Sequence, residues 1–227
     1  MIETLKEMFS FEHVKLDAVL EATYETLIMT GVATLFAFII GLVLGLILFL
    51  SSRKRGAVST PVYGATSFVV NLFRAIPFII LIILLMPFTK VLMGTIMGVW
   101  GAMPALIIGS APFYARLAEI ALKEIDKGVI EAAESMGAST WELVYKVLIP
   151  ESLPALVSGI TVTSIMLVGS TAIAGVIGAG GLGSLAYMVG FTRSQPDVTL
   201  VATVVILIIV FAIQIIGDLL AKVIDKR

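Results

Sequence analysis

The sequence predicts an all-α integral membrane protein with five transmembrane helices, and three observations lead there. Hydrophobic residues make up 59% of the 227-residue chain, charged residues 14%, and the mean hydropathy is +1.10. Soluble domains are about 45–50% apolar and about 25% charged, because a folded surface must be covered with polar side chains. Charge is also segregated. No Asp, Glu, Lys, Arg or His occurs from Thr26 to Ser52, Val91 to Ala115, Ser152 to Thr192 or Val198 to Gly217, and between Gly56 and Thr89 the sole charge is Arg74. Finally, each of these runs holds the roughly 20 residues that a helix needs to cross a bilayer. The absence of cysteine removes disulfides and thiolate metal sites, and a formal net charge of −1 leaves no basic excess for nucleic acid.

The spans fall at 24–50, 62–88, 93–117, 153–177 and 198–221. Ahead of them, residues 1–22 form a leader. Ile2, Leu5, Phe9, Leu16 and Val19 recur there at near-helical spacing, which predicts a short amphipathic helix on the membrane surface, with His13 solvated. The first span is too long and its leading segment too acidic for a cleaved signal. Residues 23–227 then form one membrane domain. Placing the Arg53, Lys54, Arg55 run in the cytoplasm collects Arg116, Lys123, Lys127, Lys146, Lys222, Lys226 and Arg227 on the same side, ten basic residues against Lys6, Lys15, Lys90 and Arg193 outside. The excess of positive charge predicts an external N-terminus and a cytoplasmic C-terminus. Pro77, Pro87, Pro104 and Pro112 mark expected kinks.

One long polar stretch, 118–151, separates the third and fourth spans. It reads as two short helices. The first runs from Leu122 to Met136 and stops at Gly137, a natural left-handed cap. The second starts at Ser139, with Glu142 completing a capping box, carries an apolar stripe of Trp141, Val144, Val147 and Leu148, and stops at Pro150. A segment so punctuated presents a knob: small Ala132 and Ala133 admit a close backbone, Glu131 sits at the rim and Gly137 turns the chain.

Within this stretch Glu131, Ala132, Ala133, then Gly137 after three residues, then Val147, Leu148, Ile149 and Pro150 after nine more, resemble the EAA loop of ATP-binding-cassette importer permeases. Val147 and Ile149 are mild departures from the isoleucine and leucine of that pattern. Asn71 to Phe78 (NLFRAIPF), Ser110 to Glu119 (SAPFYARLAE) and Gly178 to Gly183 (GAGGLG) resemble the methionine-type branch, and the similarity covers about residues 23–225. The resemblance implies a type I importer fold whose EAA loop forms a cytoplasmic coupling helix, with Glu131, Ala132, Ala133, Ser135, Met136, Gly137 and Ala138 contacting an ATPase. It implies as partners a second copy of the chain, two cytoplasmic ATPase subunits that bind ATP and Mg, and an external substrate-binding protein, all at a bacterial plasma membrane. The implied cargo is methionine, in the L form and in the D form as the wider range. This chain has no phosphate-binding loop of its own, so it is not the enzyme and binds no cofactor.

Ser170, Ile173, Val176, Gly178, Gly180, Gly181, Gly183 and Arg74 are the candidates for the translocation path and its outer gate. Gly178, Gly180 and Gly183 spell GxGxxG with Asp197 downstream, but a dinucleotide site needs a soluble strand before it, and here a membrane span precedes. The glycines instead let a helix end and the backbone re-enter, as a plain turn or as a gate lining. Arg74 lies about 18 Å along the second span from Val62. Two readings stand for it: a lining charge for a zwitterion's carboxylate, or a structural partner of carbonyls freed by Pro77 or of a nearby carboxylate. Hydroxyls at Thr161, Thr163, Ser164, Ser170 and Thr171 suit interhelical hydrogen bonds. Against the importer stand a permease for another polar amino acid or osmolyte, and an ion-coupled secondary transporter. The latter would place Asp or Glu inside the spans and show an internal repeat.

Overall fold

The structure, a computed structural model, describes residues 8–53 and 59–225 and is helical throughout, with no strand among the described residues. The helices are α1 (Leu16–Arg53), α2 (Ser59–Ala75), α3 (Phe78–Met93), α4 (Gly98–Lys123), α5 (Lys127–Ser135), α6 (Thr140–Leu143), α7 (Ile149–Val176), α8 (Gly181–Ser184) and α9 (Pro196–Ile224); π-helical turns at Val144–Leu148 and Leu185–Phe191 extend α6 and α8. Four continuous helical segments are long and apolar enough to cross a membrane, and α2 with α3 makes a fifth span if a 109° bend between them is counted as one broken crossing.

That bend makes the kink expected at Pro77 a full break, dividing the predicted second span into two helices. Pro77 lacks the N–H that would bond the Phe73 carbonyl, and its ring drives Ile76 out of the helical region. Pro77 then opens the next helix: its carbonyl accepts from the Ile80 and Leu81 amides at 2.9 and 3.0 Å. By contrast Pro87, Pro104 and Pro112, expected to mark kinks, lie inside unbroken helices. Pro150 likewise does not stop its helix. The π-turn ahead of it, closed by the Ile149 amide on the Val144 carbonyl, widens the coil and carries the chain straight into α7.

Helix α4 is the axis of the bundle. In its most apolar window 61% of residues are buried, against 17% in α9, which lies at the periphery. Gly41 and Gly45 on α1 set the closest approach, since a methyl group at Gly41 would meet the Ala111 carbonyl at 2.7 Å and one at Gly45 the Ala118 Cβ at 2.7 Å. Small residues one turn apart let membrane helices gain dispersion contact in place of a hydrophobic drive. Glu119, fully buried at the far end of α4, is held by Arg116 and Lys123, each at 2.6 Å.

Only part of the expected leader lies within the described residues. Helix α1 begins at Leu16, so Leu16 and Val19 belong to the first span, and Phe9 lies in a turn; Ile2, Leu5 and Lys6 fall outside the described residues, as do Lys54, Arg55, Lys226 and Arg227. His13 is not simply solvated. Its amide donates to Asp197 Oδ2 at 2.9 Å and its ring Nδ1 lies 3.2 Å from the same oxygen. Asp197 is fully buried, so this pair pins the segment before α1 to the start of α9.

Candidate functional site

Two chain reversals at opposite ends of α7 hold the candidate residues. At the knob end, Asp126 caps α5 by accepting from the Gly128 amide, and α5 closes with Gly137 at φ +83°. The Ala138 amide bonds the Ala133 carbonyl at 3.2 Å and the Gly137 amide bonds that of Glu134 at 3.0 Å. These are the two bonds of a Schellman cap, which requires a left-handed residue where glycine alone is unstrained. Ser139 then opens α6 with a complete capping box to Glu142. Lys146, 3.0 Å from Glu142, and the Ser139 contacts hold that carboxyl well below the usual carboxylate range.

The knob sits on its own small core of Phe49, Leu122, Ile125, Ile130, Ala133, Leu143, Val144 and Leu148. Ala133 is therefore buried inside the knob and supports it from behind, whereas Glu131, Ala132, Ser135, Met136 and Gly137 are exposed and Ala138 is half-buried. Trp141, expected in the apolar stripe, points outward instead and is 71% exposed, and Met136 is 83% exposed. Its ring lies 5.9 Å from that of Tyr145, one turn on. Large apolar side chains on a polar knob mark a contact surface, and only the burial pattern separates Trp141 from Val144 and Leu148, which do face the core. Arg53 reaches Glu134 at 3.3 Å and ties the end of α1 to this knob.

At the glycine end, α7 stops at Val176 and the chain turns through Gly178, Gly180 and Gly181, all at positive φ, into the short helix that starts α8. The Gly98 amide bonds the Gly178 carbonyl at 2.8 Å, and a methyl at Gly178 would meet Met97. Glu25 on α1 accepts from the Gly181 amide at 2.6 Å, and Thr26 Oγ from the Leu182 amide at 2.9 Å. A carboxylate at a helix N-terminus meets both free amides and the positive end of the dipole. The Gly181 and Leu182 amides are thus occupied by α1. The four glycines serve close approach: a side chain at Gly180 would strike Glu25, at Gly181 Thr26, and at Gly183 the Ala172 backbone. Glu25 and Thr26 carried no signal in the sequence, because their partners lie 156 positions away.

Ser170, Ile173 and Val176 follow one another at three-residue spacing up α7; Ser170 is buried, while Ile173 and Val176 are 40% and 37% exposed. Arg74 stands apart from the glycines, in the last turn of α2, and borders a cavity of about 380 Å³ that Ser170 also lines. Neither structural partner expected for it is found: among the described residues its guanidinium makes no ion pair and no hydrogen bond.

A family model described as the binding-protein-dependent transport system inner membrane component matches residues 37–227. The chain belongs to that family. This transport component is 66% identical over 217 residues to the methionine import system permease protein MetP of Bacillus subtilis, covering 96% of this chain and 98% of that one. It is 42% identical to the probable D-methionine transport system permease protein MetI of Haemophilus influenzae, over 92% and 98% of the two chains. A solved structure of the MetNI methionine ABC transporter in inward-facing conformation superimposes with TM-score 0.87 at 41% identity, over 92% of this chain and 97% of that one. A chain of an amino acid ABC transporter at 20% identity and TM-score 0.68 shares the fold.

Proposed function

We propose that this chain is the membrane-spanning permease of an ATP-driven methionine importer, acting as a pair of copies between an external binding protein and two cytoplasmic ATPase subunits that bind ATP and Mg. The observation that carries the reading is the knob: two short helices, the first capped at both ends and the second opened by a capping box, seated on their own small core and presenting Glu131, Ala132, Met136 and Trp141 outward. A rigid knob fixed to the central helix and to α7 transmits displacement of a docked partner to the spans as a lever, with no chemistry of its own. The methionine assignment rests on the similarity to permeases named for methionine and D-methionine transport. In this reading the knob end is cytoplasmic, the leader is external, and Ile173 and Val176 close an apolar gate against the second copy.

Reconstitution with the ATPase and binding protein, followed by uptake of labelled methionine against competing amino acids, tests the whole reading. Ala132→Arg alters an exposed surface and should abolish ATPase capture and uptake at normal membrane levels. Import by the chain without any ATPase would establish a secondary transporter instead, and better competition by another amino acid would reassign the cargo. Single cysteines at Ser10 and Ser59 report orientation, since the chain has no cysteine background; an impermeant reagent should label Ser10→Cys alone from outside. Ile173→Gly should loosen the dependence of uptake on the binding protein.

A further inference from the structure

The break in the second span is the least explained feature of the bundle. A helix interrupted inside a bilayer leaves the last carbonyls of one half and the first amides of the next without intrahelical partners, and such backbone persists where it lines a cavity. Here the break at Ile76 and Pro77 opens onto the 380 Å³ cavity, whose other walls come from α4 and α7. That volume lies within the range of small-molecule sites, about 300–1,000 Å³.

The lining divides by chemistry. Arg74 is the one cation, and it is unpaired among the described residues. Ser110 and Ser170 are buried and donate their hydroxyl protons to the Leu106 and Met166 carbonyls at 2.6 and 3.1 Å, so their oxygen lone pairs remain to accept. Phe73, Phe113 and Met166 contribute to an apolar, aromatic and thioether wall. Arg74 is exposed where it borders the cavity, so its guanidinium is open to an anionic group that enters. Ser170 also lies one turn on the knob side of Ile173, so the cavity adjoins the proposed gate along the same face of α7.

We infer that this cavity is a holding station for a free amino acid in its zwitterionic form, one per copy of the chain. Arg74 pairs with the carboxylate, the carbonyls at the end of α2 and the two serine oxygens face the ammonium, and the apolar wall takes an unbranched side chain. The inference deepens the importer reading and rests on it. It assigns Arg74 to substrate, where a plain gate residue would show no preference for a carboxylate.

The experiment uses the permease–ATPase complex in nanodiscs, without binding protein, and a photoreactive methionine bearing a diazirine in its side chain. Irradiation should label the segments 73–81, 106–113 and 166–170 that line the cavity. Excess methionine should compete, and methioninol, which lacks the carboxylate, should compete at least tenfold less well. Arg74→Gln removes a charged hydrogen bond and should reduce labelling about tenfold or more, with Arg74→Lys losing less. Labelling that maps elsewhere, or that is indifferent to Arg74→Gln or to the carboxylate of the competitor, overturns the assignment. Should Arg74→Gln break the permease dimer, the wild-type map and the methioninol comparison decide alone. Wild-type vesicles that import no methionine with all partners present sink the importer reading; normal import with the probe mapped elsewhere sinks the cavity alone.

Discussion

The two ends of α7 share a glycine cap and differ in what is added to it. At the knob end the chain reverses through one left-handed glycine, Gly137, and the cap bonds that shape the reversal join residues within five positions of each other. At the glycine end Gly178 closes the same kind of cap, with the Ala179 amide on the Ala174 carbonyl and the Gly178 amide on that of Gly175, each at 3.1 Å, but the chain runs on through Gly180 and Gly181 and further bonds reach to Gly98, Thr26 and Glu25. A locally closed turn keeps its shape when the spans move, which suits a part pushed as a unit. A turn held by other helices is coupled to their positions and changes when they shift, which suits a part that opens. The tertiary hydrogen bonds added to the cap at the glycine end thus separate a latch from a lever.

This contrast can be broken at several points. The largest effect is expected from Gly183→Val, because a side chain there would overlap the Ala172 backbone, which cannot yield as a flexible side chain does. A cost above about 3 kcal/mol should appear as loss of folded protein in the membrane and of a cooperative melt after extraction; a normal melt would show that the crossing of α7 and α8 is looser than it looks. Glu25→Ala follows, at about 2 kcal/mol for a buried amide deprived of a charged acceptor. Its melting temperature should fall and its uptake should depend less on the binding protein, while Glu25→Gln, which keeps an acceptor oxygen, recovers part of both. Unchanged coupling in Glu25→Ala would mean the latch reading is mistaken.

Gly137→Val tests the other end. Forcing a β-branched residue to φ +83° costs about 1–2 kcal/mol, confined to the knob. Spans and melt should stay near wild type while ATPase capture fails, the reverse of the Gly183 phenotype; a global loss of fold would erase the distinction between the two ends. Smallest is Arg53→Ala. Its partner Glu134 is 46% exposed, and such pairs contribute less than about 1 kcal/mol. A change in melting of a degree or less is expected, and a large one would make the tie between α1 and the knob structural.

Legibility in the sequence follows the same division. Gly137, Ser139 and Glu142 announce their caps because each acts on a neighbour, and the capping box and left-handed glycine stand where the spacing puts them. Trp141 and Ala133 were legible as apolar or small but not by direction, since one turn of helix decides which of them meets Leu143 and Leu148 and which meets water. Proline was ambiguous for a related reason. Pro77 breaks its helix by 109° while Pro104, Pro112 and Pro150 are carried within theirs. Neighbouring helices and a π-turn repair the missing bond in some places and leave it open in others, and no local rule says which.

From the sequence alone came the segments that leave water, the count of crossings and the position of the knob, because burial in a bilayer and helix capping depend on runs and spacings of nearby residues. What the tertiary structure alone decided is which distant groups meet: His13 with Asp197, Glu25 with the Gly181 amide, Gly41 with Ala111, and Arg74 with an open cavity and, among the described residues, no counter-charge. Each pairing depends on the relative depth and rotation of two helices, set by how small residues allow whole faces to pack, and that is a property of the bundle.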